Sequence, residues 1–175
     1  MQRILAAVFL LAATAGAADS SDRYRIIESQ EEFEEVKWKR QYAFTCEYGD
    51  CPLYEQPTPR LHAYYGIKGK KQVTPFRVQL QYEGSDWIYV ERLIFKTDAG
   101  LVEQRVKRNE QLLSGGIVSE TADFVPEPRV KAALCSANSL KVRMDGSQGI
   151  KDFEISPDDL RALKEMCTRY AVERR

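Results

Sequence analysis

The sequence predicts an α+β protein built on an antiparallel, strand-rich core with two or three short helices, the clearest of them C-terminal. Several segments alternate apolar and polar residues with a period of two, which is typical of strands that bury one face. Turn residues separate many of these segments, so consecutive strands are expected to pair as hairpins in a meander or a decorated sandwich. The order of elements disfavours a parallel α/β sheet, and no series of strand, glycine-rich turn and helix of the kind that builds a dinucleotide site occurs.

The alternation is clearest at 76–82, where every second residue is apolar and the others are Arg or Gln. Gly84-Ser85-Asp86 marks a hairpin connection to an apolar run at 87–95, and Asp98-Ala99-Gly100 marks the turn to a charged strand at 101–106. The three runs together predict an antiparallel meander. Further strands are expected at 36–46, at 61–67, around 117–118, and as a hairpin between 140 and 155.

Two helices are predicted from the residues at their first turns. Ser29, followed three residues later by Glu32, forms a capping-box pattern, so a short helix is expected at 29–35. Pro128 precedes an apolar and cationic segment at 129–134. Proline suits this position because the first amides of a helix have no acceptor within it. A short helix is therefore expected at 129–134 as well.

The C-terminal helix carries the strongest signals. Ser156 provides an N-cap, Pro157 suits the first helical position, and Asp158 is favoured near the positive end of the helix dipole. Apolar residues at helical spacing follow, and they predict one buried face. This stripe consists of Leu160, Leu163, Met166, Cys167 and Tyr170.

The N-terminal segment has the composition of a secretory signal peptide. Arg3 supplies a positive charge, residues 4–13 are apolar, and Ala15-Gly16-Ala17 offers the small residues of a cleavage site. The apolar run is shorter than the roughly 20 residues of a membrane-spanning helix. We therefore expect residues 1–17 to be cleaved. A single globular domain at 18–175, periplasmic or secreted and without a transmembrane span, is expected to remain.

The four cysteines are predicted to form structural disulfides, because an even number in an exported chain favours pairing. Of the three possible connectivities, Cys46–Cys51 with Cys135–Cys167 is preferred. Gly49-Asp50 can turn the short loop, and Cys167 falls on the buried stripe of the C-terminal helix. A redox pair or a zinc site that includes His62 is the alternative, but the C-x4-C spacing differs from the C-x2-C of such centres.

Charge and motifs disfavour several kinds of function. With 26 Lys+Arg against 26 Asp+Glu, the chain lacks the bulk positive charge of a nucleic-acid binder. The single histidine excludes two-histidine metal motifs, and neither a P-loop nor a G-x-S-x-G elbow occurs. We therefore predict no catalytic residue, no metal and no cofactor. Acid–base chemistry would have to use His62 or the glutamates within 31–35.

The favoured hypothesis is a small exported, disulfide-braced binding or interaction module of the bacterial envelope. Its partner would be an envelope protein or a cell-surface component, and the bacterial origin is inferred from the short signal peptide alone. An extracytoplasmic hydrolase that uses His62 or paired carboxylates is one alternative. A secreted enzyme inhibitor that inserts the proline-bearing loop at 51–60 is another. The signal peptide, the expected disulfides, the strand-rich core and the lack of a recognisable catalytic motif favour the binding module over either alternative.

Overall fold

The computed structural model describes residues 24–31, 36–43, 60–69, 72–107 and 109–175 of the chain. Within these ranges it has two antiparallel sheets and two helices, the longer helix being C-terminal, so the predicted α+β class is confirmed. The strands are β1 (Tyr24–Glu31), β2 (Val36–Ala43), β3 (Arg60–Lys68), β4 (Gln72–Val73), β5 (Arg77–Gly84), β6 (Val90–Thr97), β7 (Gly100–Arg105), β8 (Asn109–Ser114), β9 (Ile117–Phe124), β10 (Leu140–Gly146) and β11 (Gly149–Glu154). The helices are α1 (Pro128–Ser136) and α2 (Pro157–Glu173).

All strand pairs in the two sheets are antiparallel. The larger sheet has the order β1-β2-β3-β5-β9-β8, with β4 paired to β3. The smaller sheet has the order β11-β10-β6-β7. The hairpin predicted between 140 and 155 is therefore present as β10 and β11, and the apolar run at 87–95 supplies most of an interior strand, β6.

The core lies between the inner face of the larger sheet and a second layer made of the smaller sheet and α2. Phe124 contacts Phe95 of the smaller sheet with ring centroids 6.1 Å apart, and Tyr82 contacts Phe153 with centroids 5.8 Å apart. Helix α2 covers β1, β2 and β3 instead. The alternation predicted at 76–82 is confirmed, because its apolar members are all buried and its polar members only partly so.

The meander predicted for 76–106 is wrong at its first connection, because the chain changes sheets between β5 and β6, whereas its second connection is confirmed as the β6–β7 hairpin. Strand β5 pairs with β3 and β9, whereas β6 pairs with β10 and β7. The buried carboxylate of Glu120 in β9 accepts the backbone N–H groups of Ile88, Tyr89 and Val90, the last two at 2.9 and 3.1 Å. The turn residues at 84–86 mark a change of direction, but they carry no information about which sheet receives the next strand.

The helix predicted at 29–35 is wrong over its first part. Ser29, Gln30 and Glu31 belong to β1, and residues 32–35 lie outside the described ranges. Ser29 is paired with Trp38 and Glu31 with Val36 in the β1–β2 ladder. Pairing along a whole strand outweighs a local capping pattern, since tertiary context commonly overrides helix propensity.

Strand β2 confirms part of the strand predicted at 36–46, but its polar face is not a solvent face. Gln41 is 1% exposed, and its amide donates to the carbonyls of Leu61 and Asp159 at 3.2 and 3.3 Å. Lys39 lies on the same face, and its ammonium nitrogen is 2.5 Å from a carboxylate oxygen of Glu173 in α2. Both side chains are accommodated below the helix because they have polar partners there.

The two remaining helix predictions are confirmed. Helix α1 contains the segment predicted at 129–134, and α2 begins immediately after Ser156. The Ser156 hydroxyl accepts the backbone N–H of Asp159 at 3.0 Å, which is the expected N-cap. The predicted apolar stripe is buried throughout, from Leu160 to Tyr170.

Cys135 of α1 and Cys167 of α2 form a disulfide, with their Cα atoms 5.9 Å apart. This is one of the two predicted pairs. Cys46 and Cys51 lie outside the described residues, and so does the predicted signal peptide at 1–17. Among the helices of the described ranges, none is long and apolar enough to cross a membrane.

Candidate functional site

An open cleft of about 710 Å³ lies between α1, the C-terminal half of α2 and the segments that lead into β5 and α1. Its walls are mostly apolar, and two cationic side chains contribute to them. The lining residues all belong to the described ranges, and none of them is acidic. They are Val73, Pro75, Phe76, Val125, Pro126, Pro128, Lys131, Ala132, Cys135, Cys167, Tyr170, Ala171 and Arg174.

Aromatic rings support one wall of the cleft. Tyr170 lies edge-on to Tyr65 of β3 and tilted against Phe76, with ring centroids 5.2 and 5.3 Å apart respectively. Tyr65 is fully buried, and its burial together with the negative charge of Glu173 raises the pKa of its phenol to about 12. Tyr65 therefore acts as a neutral support below Tyr170, which is itself held by its place in the buried stripe of α2.

Two cations flank Tyr170. The ammonium nitrogen of Lys131 in α1 lies 3.9 Å from the Tyr170 ring centroid and 5.1 Å from that of Phe76. The guanidinium carbon of Arg174, just after α2, lies 5.6 Å from the Tyr170 centroid. Cations within about 6 Å of a ring face are attracted by its quadrupole. Neither cation forms an ion pair with a carboxylate of the described residues.

Within the part of the chain that the structure describes, no carboxylate pairs with the two cations of the cleft. Burial withdraws water from the Lys131 ammonium, and the positive charge of Arg174 repels it, so both effects lower the pKa of Lys131. A negative group placed between the two cations would relieve this repulsion. The cleft thus combines apolar walls with a local excess of positive charge, which favours the binding of an anionic group.

The disulfide fixes the arrangement of the cleft. Both of its cysteines line the cleft, and the bond joins α1, which carries Lys131, to α2, which carries Tyr170. Pro126 and Pro128 restrict the backbone at the start of α1, because the pyrrolidine ring fixes one backbone angle. The covalent link and the prolines keep the cation and the ring in one geometry before any ligand arrives.

His62 lies in β3, outside the cleft lining. Its Nδ1 is 3.2 Å from the backbone carbonyl oxygen of Gln41. Burial lowers the pKa of the imidazole below 6.5, and this effect outweighs the hydrogen bond to Gln41. The imidazole is therefore neutral at pH 7 and lies against the backbone of β2.

The other segments considered for catalysis or inhibition contribute little to the described structure. Of the glutamates within 31–35, Glu31 belongs to β1 and the others lie outside the described residues. The loop at 51–60 also lies outside them, except for Arg60, the first residue of β3. No group of three or more His, Cys, Asp or Glu in the described ranges is placed to hold a metal ion.

A second polar cluster lies on the larger sheet. The Tyr64 hydroxyl donates to Asp123 at 2.6 Å, and Arg77 Nε donates to the Tyr64 hydroxyl and to Asp123 at 2.9 and 3.1 Å. The guanidinium carbon of Arg40 lies 5.6 Å from the Trp38 ring centroid and 5.3 Å from that of Tyr64. Trp, Tyr and Arg residues are enriched at the binding hot spots of protein interfaces. Here Asp123 already neutralises Arg77, so the cluster offers a ligand less unpaired charge than the cleft does.

A concavity of about 610 Å³ on the smaller sheet has a different character. Its charges pair across neighbouring strands, with Arg143 Nε 2.7 Å from Asp152 and Lys141 Nζ 3.3 Å from Glu154. Exposed pairs of this kind contribute little to stability and leave no excess charge. This surface has the composition of a solvated sheet face.

Sequence patterns did not identify the cleft. They assign Tyr170 to a buried stripe, which is confirmed, and they do not single out Arg174. Lys131 and Phe76 are brought to Tyr170 only by the tertiary fold, so no local spacing reports the cluster. The prolines at 126 and 128 beside a cationic helix are the one local hint.

The cleft is the most complete candidate site in the described part of the chain. It joins apolar walls, stacked aromatic rings and unpaired cations in one place. No family model, no curated protein and no solved structure matches the chain significantly.

Proposed function

We propose that this chain is a small exported binding module of the bacterial envelope and that its ligand site is the cleft between α1 and α2. The observation that supports this proposal most strongly is the lining of the cleft, which is apolar and carries Lys131 and Arg174 without an acidic residue. A site that binds without reacting needs shape, apolar surface and a few well-placed polar groups. The cleft has each of these.

The proposed ligand is a small molecule with an apolar body. A volume of about 710 Å³ falls within the range of roughly 300–1,000 Å³ that is typical of small-molecule sites. Val73, Pro75 and Val125 offer apolar contact area near the aromatic rings. Transfer of apolar ligand surface from water to these walls supplies the driving force for binding.

Export is supported by the Cys135–Cys167 disulfide, because disulfides persist mainly in oxidising compartments. Expression of the full chain in a bacterium, followed by fractionation and intact-mass analysis, tests this part of the proposal. We expect a species in the envelope fraction that lacks residues 1–17 and whose Cys135 and Cys167 resist alkylation. A full-length cytosolic species with reactive thiols would contradict export.

The binding site itself is tested by titrating the protein with octan-1-ol and following the backbone amide NMR signals. We expect the largest shifts in α1 and at the end of α2. Ala132→Trp, which fills the cleft, should abolish them, whereas Arg129→Trp places the same side chain on the same helix at a residue outside the lining. Arg129→Trp should leave the shifts unchanged. Shifts confined to other surfaces, or equal in both variants, would contradict the proposed site.

A further inference from the structure

We propose that the ligand of the cleft is an acyl carboxylate of medium chain length, whose head group lies between Lys131 and Arg174. This inference rests on the proposed function of the cleft and adds the chemistry of the ligand. Three features of the cleft support it: the cation pair, the lack of acidic residues, and the scarcity of polar groups along the walls.

The cation pair accounts for the head group. Lys131 Nζ and the Arg174 guanidinium lie 3.9 and 5.6 Å from the Tyr170 ring centroid, and both side chains line the same cleft. One anionic group bound in the cleft can therefore interact with both. A carboxylate accepts hydrogen bonds from each of these donors, and bonds between charged partners are the strong ones. A cationic ligand would add a third positive charge to the same place, and a neutral one would leave the repulsion between the two cations in force.

The walls account for the body of the ligand. Apart from the cations and Tyr170, the lining consists of Val, Pro, Phe, Ala and the disulfide. Pro75, Pro126 and Pro128 have no backbone N–H to donate. A bound peptide would bury several backbone amide groups that require partners, and unpaired polar groups are costly to bury. A hydrocarbon chain has no polar groups that require hydrogen-bond partners, so an acyl chain fits these walls better than a peptide does.

The side chain of Lys131 is suited to this role because it is held in place before binding. Its ammonium contacts two rings, Tyr170 and Phe76, and the disulfide ties α1 to α2 one turn after Lys131. A cation that is already ordered loses less freedom when the ligand binds. An added anion can therefore bind without a rearrangement of the cleft.

The experiment compares ligands that share one tail and differ in their heads. The oxidised protein is titrated by calorimetry with octanoate, octanesulfonate, octan-1-ol and octylammonium at low salt. We expect octanoate to bind about tenfold or more tightly than octan-1-ol, since charge-assisted bonds are roughly twice as strong as neutral ones. Octylammonium should bind most weakly. Raising the salt concentration should narrow the gap between octanoate and octan-1-ol.

Matched variants locate the effect. Lys131→Met and Arg174→Met keep apolar stems and remove one charge each, and each should bring the Kd of octanoate close to that of octan-1-ol. Arg129→Met removes the same charge from an exposed position of α1 that does not line the cleft. It should leave both Kd values unchanged. Circular dichroism checks the fold of each variant. The salt dependence of octanoate binding is measured on the unaltered protein, so this test does not depend on whether the variants fold.

The outcomes separate the two proposals. Equal binding of octanoate and octan-1-ol in the cleft would overturn the carboxylate inference and leave the binding function in place. Tighter binding of octanesulfonate than of octanoate would overturn the choice of a carboxylate. If none of the four ligands binds, the proposed function itself is contradicted. An octanoate preference that survives both Lys131→Met and Arg174→Met would overturn the assignment of the head group.

Discussion

Glu120 holds Tyr89 in an unusual backbone conformation. A carboxylate oxygen of Glu120 accepts the backbone N–H of Tyr89 at 2.9 Å, and Tyr89 has a φ of +54°. This region of backbone space is unfavourable for residues with a Cβ. The same carboxylate also accepts the N–H groups of Ile88 and Val90, so it binds the whole segment that crosses between the sheets. The junction of the two sheets therefore depends on one buried acidic side chain.

Replacing Glu120 should weaken the fold strongly. Glu120→Gln turns an amide NH₂ group toward backbone donors and removes a charged acceptor, and we expect a loss of about 3 kcal/mol in unfolding free energy. Urea unfolding followed by circular dichroism measures this loss. Glu91→Gln, at an exposed position in the neighbouring strand β6, is the control and should change stability by less than about 0.5 kcal/mol. Equal effects of the two substitutions would contradict the role of Glu120.

Gly146 is required where β10 approaches the crossing segment. A Cβ at this position would lie 2.2 Å from the carbonyl oxygen of Ile88, and backbone atoms cannot move aside cheaply. We expect Gly146→Ala to destabilise the protein by about 1–3 kcal/mol. A Cβ at Gly149, across the same hairpin, would meet nothing within 4 Å. Gly149→Ala should therefore be nearly neutral. Thermal unfolding of both variants measures the difference, and a comparable loss in both would refute the steric explanation.

The Cys135–Cys167 disulfide should contribute substantially to stability. Its cysteines are separated by 32 positions, and the chain-entropy model gives about 3–4 kcal/mol for a loop of this size. We expect the variant Cys135→Ala/Cys167→Ala to lose about that much in denaturant unfolding. A loss below about 1 kcal/mol would show that packing alone holds α1 against α2. Alkylation and intact mass of the same variant also test the predicted Cys46–Cys51 pair, which lies outside the described residues.

The pKa of the single histidine, His62, reports whether its imidazole is buried. Because burial lowers its pKa in the folded protein, the imidazole of His62 should titrate below 6.5 in an NMR pH series. The unfolded chain binds a proton at higher pH than the folded protein does. The contribution of His62 to stability is therefore present above about pH 6.5 and is lost as the pH falls through the folded pKa. A midpoint at or above 6.5 would contradict the buried, neutral imidazole.

Local sequence patterns were sufficient to predict an element where the residues that define it, such as a cap or an apolar face, all lie within that element. The alternation at 76–82 reports a strand with one buried face regardless of which strands lie beside it. The N-cap at Ser156 and the stripe that follows it define α2 for the same reason. In both cases the residues that determine the element belong to the element itself.

Other features depend on contacts that sequence spacing does not encode. The path from β5 to β6 is stabilised by Glu120, which lies in β9, three strands after β6. Ser29 carries a capping pattern, yet its pairing with Trp38 in the β1–β2 ladder makes it part of a strand. The cleft has the same origin, since Phe76, Lys131 and Tyr170 meet only after the sheet and both helices are assembled.

The most direct measurement is a crystal structure of the oxidised protein grown with octanoate. We expect electron density for the ligand in the cleft, with its carboxylate at about 3 Å from Lys131 Nζ and facing the Arg174 guanidinium. The hydrocarbon chain should lie along Pro126 and Val125. An empty cleft at a saturating concentration of octanoate, or a ligand bound elsewhere, would contradict the cleft as the binding site of this protein.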